Sequence, residues 1–391
     1  MTEEVFRRDG YLSEFEADVV SVKDDQVVLT NTAFYPGGGG QVCDTGTIQG
    51  QRVTEVRYEG KEIVHKVPNN NFKAGDHVWC SIDWDRRLDL MMGHTGEHLL
   101  FCSLRKQDPD LAITKIYISP EDKYVIVNHD VPWDKIKAAL QFANQAIRDN
   151  LSVTKAVMSR DDPDLAKVRI KLDRIPEDEE ITVVAIGDID YSACSGIHVM
   201  ETSELEQLFV DRKISAGKDG VAIHFKVGPA AADAAMALAN TCLQVIDETG
   251  SKPEDLIKTV ANLQHELKVA NDAKKTVTRQ RIEELRPTAI DGTAVYSGLF
   301  ADADRKTLTD AAEEYRSQGG VAVFVSTGET LAVMLVSGTP RVNCRTVLGD
   351  VLKQFDGRGG GKPDFAQGGV PDATKGQAVL NALLEAVKKV L

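Results

Sequence analysis

Two pairs of metal-type side chains, each with four-residue spacing, stand about a hundred positions apart in this chain. They are His94 and His98 in MMGHTGEHLL, and Cys194 and His198 in YSACSGIHV. Residues 88–104 read as a helix, so His94 and His98 leave one face a single turn apart. A lone HxxxH says little, but the two pairs together supply three imidazoles and one thiolate, a set that suits tetrahedral Zn²⁺. The expectation is one zinc ion per chain, and a fold that brings both pairs to one point. HTGEH is not the HExxH of metalloproteases: Glu97 directly precedes the second histidine and is expected to face solvent. His65, His77, His129, His224 and His265 have no partner spacing and read as ordinary polar residues, while Cys80 and Cys102 read as core.

The chain's 391 residues exceed what one ordinary core organises, so several domains are expected. Hydrophobic content of 42% with 27% charged residues describes a globular protein. No run of eighteen apolar residues offers a membrane span, and the N-terminus lacks the apolar stretch of a signal peptide. Six scattered cysteines without a CxxC pair read as reduced, cytoplasmic usage. A net charge of −14 argues against a protein that coats nucleic acid broadly. The imbalance lies mostly before residue 230, because residues 230–391 carry 19 Lys and Arg against 21 Asp and Glu. An RNA partner would therefore meet least repulsion in the C-terminal part.

The pattern along the chain is α+β and multidomain. Residues 1–88 alternate short period-2 runs with turns and read as a small antiparallel barrel or sandwich, with a β-barrel expected. Residues 89–228 mix helices (88–104, 133–150) with strands around ITKIYISP, YVIVNHD, ITVVAIGD and VAIHFKVG, as an α+β domain. The Glu177–Glu180 acidic run reads as a solvated turn. Residues 229–287 are expected to form a helical hairpin turning at Glu248–Ser251 and stopping at Pro287, with Leu256, Val260, Leu263 and Leu267 at helical spacing. Two readings of it stand: a spacer arm or dimer contact, and a hairpin packed on its own domain. Residues 288–391 return to a C-terminal α/β domain with helices at 305–317, 344–354 and 374–391.

Two glycine-rich segments invite a nucleotide reading, and both lack its chemistry. Phe34-Tyr35-Pro36-Gly37-Gly38-Gly39-Gly40-Gln41 has no lysine, and in Gly361-Lys362-Pro363 a proline stands where a P-loop needs Ser or Thr for magnesium. No ATP site is therefore expected. The first is a loop whose backbone can approach another molecule closely. The second is either a mobile surface loop or a backbone cradle for RNA phosphate, flanked by Arg358 and Lys362.

TAFYPGGGGQVCDTG, GHTGEHLL and CSGIHV, in that order, closely resemble the editing half of alanyl-tRNA synthetase and the freestanding alanyl-tRNA editing proteins of the long type. GRGGGKPDFAQGG resembles the glycine-rich segment of the synthetase C-terminal domain, a type also appended to DHH phosphoesterases. No DHH triplet is present, and no aminoacylation segment precedes the barrel, so the resemblance points to the freestanding form. Carried over, it implies metal ligation by His94, His98, Cys194 and His198, and a catalytic glutamine at Gln41. It implies a serine-hydroxyl reader at Thr32, and substrate contacts at Gly38, Gly39 and Gly40. The family's Cys-Gly-Gly-Thr-His is here Cys194-Ser195-Gly196-Ile197-His198, so the residues between the implied ligands differ from the family's.

The function so implied is zinc-dependent hydrolysis of Ser-tRNA(Ala), and of Gly-tRNA(Ala), without aminoacylation. A pocket that admits alanine cannot exclude glycine and rejects serine poorly, so a second site must remove the wrong ester. A polar reader left unpaired by alanine would discriminate by roughly 1–3 kcal/mol. Four protein ligands imply structural zinc, so a catalytic role predicts that Cys194 or His198 stands apart or exchanges. The implied partners are mischarged tRNA(Ala), gripped through residues 288–391 with Arg358 and Lys362, and a second copy meeting through the helical or C-terminal region. Two rivals remain: a tRNA-binding module closed around structural zinc, and an editor of another aminoacyl-tRNA.

Overall fold

The computed structural model describes residues 2–170 and 180–391, which form two compact units, Met1–Val245 and Ile246–Leu391. Of the acidic run, residues 177–179 lie outside the described residues, and Glu180 is exposed. The architecture is α+β, with seven α-helices among the described residues.

The first unit opens with a seven-stranded antiparallel sheet. Its edge strands Gln51–Val53 and Glu55–Glu59 are consecutive in the chain and separated only by Thr54. That single-residue link brings the two edges together and leaves the sheet nearly closed, as the alternating runs before residue 88 lead one to expect. Alternation fills it: in Glu14–Lys23, Phe15, Ala17 and Val19 are buried while Glu14, Glu16 and Asp18 are exposed. His65, read from sequence as an ordinary polar residue, is instead fully buried in the barrel. Its Nδ1 donates to Val27 O at 3.1 Å, so Nε2 accepts from Thr32 Oγ1 at 2.8 Å.

Helix α1, Trp84–Gln107, extends the expected 88–104 at both ends and runs through the centre of this unit. Residues 90–101 are buried on every face, which glycine permits by letting neighbours approach. A Cβ on Gly96 would meet Val227 at 2.6 Å, and one on Gly93 would meet Lys123 at 2.5 Å. Glu97 is therefore buried too, contrary to its solvent-facing assignment. Helix α2, Trp133–Arg148, packs beside α1. Two further sheets complete the unit: a four-stranded one (Ile113–Ile118, Lys123–Val127, Val221–Val227, Leu208–Ser215) and a three-stranded one (Val153–Met158, Ile181–Ile186, Asp190–Ala193). One hydrophobic cluster runs from Phe6 to Val227, so the expected boundary at residue 88 falls inside a shared core.

Helix α3, Pro229–Thr249, and helix α4, Leu256–Glu283, flank a turn at Gly250, whose φ is +60°. Among described residues α3 buries only Ala231, and α4 only Thr278 and Ile282. Val260, Leu263 and Leu267, which a hairpin packed on its own domain would bury and a spacer arm or dimer contact would leave open, are 38%, 51% and 63% exposed. Helical spacing reports an apolar row, and here those three side chains stay exposed among the described residues.

The second unit is a six-stranded mixed sheet with helices on both faces. In Val321–Thr327, Val321, Val323 and Val325 meet α6 (Cys344–Lys353) and α7 (Gly376–Val390). Ala322 and Phe324 meet the α4 end and α5 (Arg305–Ser317). Arg358–Gly361 is not a loop. It is the exposed edge strand of this sheet, paired antiparallel with Phe365–Val370.

The deepest ion pair joins α1 to the barrel. Arg87 and Asp44 side chains are 0% and 1% exposed. Arg87 Nε donates to Asp44 Oδ1 at 3.0 Å, and its remaining donors reach Ala33 O at 2.6 Å and Gly10 O at 2.7 Å. Arg87→Met would strand a buried carboxylate, so chemical denaturation should show a loss of about 3–5 kcal/mol, partly recovered when Asp44→Asn is added. His65 gives a pH signature. Burial lowers its pKa from 6.5 to about 4, so the unfolded chain takes up a proton that the folded one refuses. Its contribution is full above about pH 6.5 and is lost as pH falls toward 4. Urea unfolding at pH 7.5 and pH 5 should differ by about 2 kcal/mol more in the wild type than in His65→Gln.

Candidate metal centre

His94 and His98 project from α1, one turn apart, with ring centroids 5.4 Å from each other. Cys194 and His198 come from the irregular segment after Asp190–Ala193, so their four-residue spacing is that of a loop folded over α1. The four donor atoms lie within 4.8 Å of one another. Cys194 Sγ is 3.4 Å from both His94 Nε2 and His198 Nε2, close to the ~3.5 Å edge of a tetrahedron built on zinc–nitrogen and zinc–sulfur bond lengths. No member of the Cys194/His198 pair stands apart.

Each imidazole is oriented by a second residue that holds its Nδ1. His94 Nδ1 meets Gln41 Oε1 at 2.7 Å, His98 Nδ1 meets Asp190 Oδ2 at 3.2 Å, and His198 Nδ1 meets Thr95 Oγ1 at 3.1 Å. With Nδ1 spent, each ring turns Nε2 toward the common centre, as metal-ligating histidines do. Asp190 and Thr95 carried no sequence signal for this role. They lie 92 and 103 positions from the histidines they orient.

The electrostatics fit a cation. Burial would raise the Cys194 thiol, but His94 and His198 beside it hold it well below its ordinary value, in the thiolate form that ligates metals. Burial and the His94 charge lower His198 to about 3. His98 is also opposed by burial, yet the bond to Asp190 and the neighbouring thiolate lift it to about 10. His98 and His198 are thus shifted in opposite directions around one thiolate, and a divalent cation would satisfy the whole donor set at once.

The glycine segment is fitted against this centre. Gly37 to Gly40 all have positive φ, from 60° to 146°, which a side chain would oppose. A Cβ on Gly40 would meet Ile116 O at 2.6 Å, and one on Gly39 would touch His94 Cε1 at 3.9 Å. Gly38 and Gln41 bond each other's backbone, leaving the Gly39 and Gly40 amides without a protein acceptor among the described residues. Gln41 Nε2 and both Glu97 carboxylate oxygens are buried without hydrogen-bond partners, and Glu97 Oε2 is 3.7 Å from His98 Nε2. Thr32 lies deeper, in the barrel, where its hydroxyl donates to His65 and accepts from Phe34 N at 3.1 Å. Arg358 and Lys362 belong to the second unit and are exposed.

Residues 8–86 match the family described as tRNA synthetases class II (A), and residues 291–390 match the DHHA1 domain. The chain is 28% identical over 407 residues to the alanyl-tRNA editing protein AlaX-L of Pyrococcus horikoshii, covering 99% of each. It is 31% identical over 392 residues to the alanine–tRNA ligase of Methanoregula boonei, covering 94% of this chain and 42% of the ligase. The chain therefore spans less than half the length of the ligases it matches. Among solved structures, the C-Ala domain of Aquifex aeolicus alanyl-tRNA synthetase is 24% identical, with a TM-score of 0.24, covering 27% of this chain and 97% of that domain.

Gly196 is the residue on which the convergence turns. A Cβ there would stand 2.2 Å from His94 Cε1 and 2.6 Å from its Nδ1. Gly196→Ala should push the loop or the ring aside and weaken zinc binding by about 10–100-fold, the range for disturbed ligand orientation. Competition against a chromogenic chelator measures it, and unchanged affinity would mean the ring yields without cost.

Proposed function

The chain belongs to the family of alanyl-tRNA editing proteins and the corresponding region of alanyl-tRNA synthetases, and from that premise we propose that it hydrolyses tRNA(Ala) mischarged with serine or glycine. The observation that carries this reading is the convergence of His94, His98, Cys194 and His198 beside a glycine segment with two amides lacking a protein acceptor among the described residues, next in the chain to a buried, unpaired Gln41 amide. Zinc held by those four side chains would supply Lewis acidity toward the ester or an acidified water.

The chain's own residues do the rest. Gln41 Oε1 accepts from His94 Nδ1 and fixes that ring, which leaves the Gln41 Nε2 amide as a spare donor. That donor, with the Gly39 and Gly40 amides, offers hydrogen bonds to an ester carbonyl oxygen as it gains charge. Glu97, without a partner of its own, is an acceptor within the same centre. Thr32 contributes to serine preference only if its hydroxyl releases His65. The exposed apolar side chains of α3 and α4 support self-association there. Edge strand Arg358–Gly361 offers backbone amides between Arg358 and Lys362 for the tRNA body.

A second reading has its own support. Four converging donors form a closed set of the kind that holds structural zinc, which favours a tRNA-binding module without turnover. One experiment separates the two. Purified protein should contain one zinc per chain and release serine and glycine, but not alanine, from charged tRNA(Ala). The His94→Ala/His98→Ala variant should lose both zinc and turnover. Stoichiometric zinc with no release from any of the three would establish the binding module. Zinc retained by the double variant would remove these residues as ligands.

A further inference from the structure

A cleft of about 1210 Å³ opens beside the metal centre, with Gly196 and His198 in its lining. Small-molecule pockets run to about 300–1,000 Å³, so this one has room well beyond a single amino acid. The N-terminal segment around Phe6–Arg8 and the hairpin around Tyr58–Lys61 form one wall, and strand Val153–Met158 forms the opposite one.

The cleft reverses the charge of the molecule. The chain carries −14, yet this lining holds Arg7, Arg8, Lys61 and Lys155 against Glu4 and Glu180. Two of the four cations are already matched: Arg7 bonds Glu4, and Arg8 pairs with Glu3 at 2.5 Å. Lys61 and Lys155 have no carboxylate within ion-pair distance among the described residues. The hydrogen bond that Lys155 makes runs from Nζ to Gly196 O, at 3.4 Å, on the loop that carries the metal-type ligands. Partial desolvation of this side chain, with the Arg7 charge nearby, lowers the Lys155 pKa, and the charges of Cys194 and Glu4 only partly offset it. Tyr58 is 41% exposed, and its hydroxyl accepts from Arg7 Nη2 at 3.3 Å, which fixes the ring beside these cations. Unmatched cations interleaved with a fixed, exposed aromatic ring suit single-stranded nucleic acid, whose phosphates and base faces they can meet together.

We propose that Lys61 and Lys155 receive phosphodiesters of the single-stranded 3′ end of the tRNA, with Tyr58 as a stacking surface for one of its bases. This rests on the aminoacyl-tRNA reading above. It adds that the ester is delivered to the metal centre by its own RNA strand, through attraction local to the cleft. The acidic first unit thus has a grip on RNA independent of residues 288–391.

The test uses the full chain and an unacylated, labelled oligoribonucleotide ending in 3′-CCA, titrated at several salt concentrations. Lys61→Gln/Lys155→Gln should weaken binding roughly fivefold or more and flatten the slope of log K against log salt by about 1.4, two single-strand phosphate contacts. Tyr58→Ala should weaken binding by roughly tenfold with the slope retained. Lys61→Arg/Lys155→Arg should keep the slope, and circular dichroism verifies that every variant is folded. A double glutamine variant with wild-type affinity and slope overturns the proposal, as does a wild type that does not bind this strand. Because the probe carries no ester, a failure of turnover on Ser-tRNA(Ala) would sink the hydrolase reading and leave this binding result separate.

Discussion

The buried pairing of Arg87 with Asp44 is the constraint on which the site depends. Burying two opposite charges seldom adds net stability, because desolvation offsets the attraction. Its use is registry. Asp44 closes the glycine segment, where it also accepts from Tyr35 N, and Arg87 gathers Ala33 O and Gly10 O onto the same guanidinium. Arg87 lies seven residues before His94 on α1, two turns away on nearly the same helix face, about 10 Å along the axis. Fastening Arg87 into the barrel thus sets where His94 meets Gly39 and Gln41. A helix free to slide or rotate would break the Gln41–His94 bond first.

From that anchor the site grows by exclusion of side chains. Gly93 and Gly96 let α1 lie against Lys123 and Val227, Gly40 lets the loop touch Ile116 O, and Gly196 lets the Cys194–His198 segment close over His94. These contacts come from distant stretches of chain, and at each a methyl group would stand within 3 Å of a neighbour. The glycines are therefore as much part of the candidate metal centre as its donor side chains.

The pairing of His94 and His98 was legible because spacing along one helix is a local property: HxxxH fixes two imidazoles before any tertiary contact exists. CxxxH was legible as chemistry but not as geometry, since Cys194–His198 is a loop. Asp190, Thr95 and the burial of Glu97 were not legible, because they depend on which elements surround α1. Strand Val153–Met158 escaped for a related reason: Thr154, Lys155, Ala156 and Val157 are all exposed, so the strand has no apolar alternation to read. Arg358–Gly361 read as a loop because glycine favours no strand. It pairs nonetheless, since Gly368 and Gly369 opposite it are equally bare and the ladder is formed by backbone alone.

Gln41 shows how one side chain can serve two ends of the chemistry. Its orientation follows from its neighbour: His94 must spend Nδ1–H on an acceptor for Nε2 to face the metal position, so the amide oxygen takes that side. The amide nitrogen then has no choice but to point away, and it does so unpaired in a buried setting. A donor left in that state is costly in a resting protein. It becomes useful when an oxygen gaining negative charge arrives, because the bond it then makes was absent from the free site and needs no rearrangement. Glutamate would keep the acceptor and lose the donor, and leucine would lose both. The bond that fixes the His94 tautomer is thus also the bond that aims the spare N–H, so in the proposed function metal geometry and carbonyl recognition would be set by the same torsions.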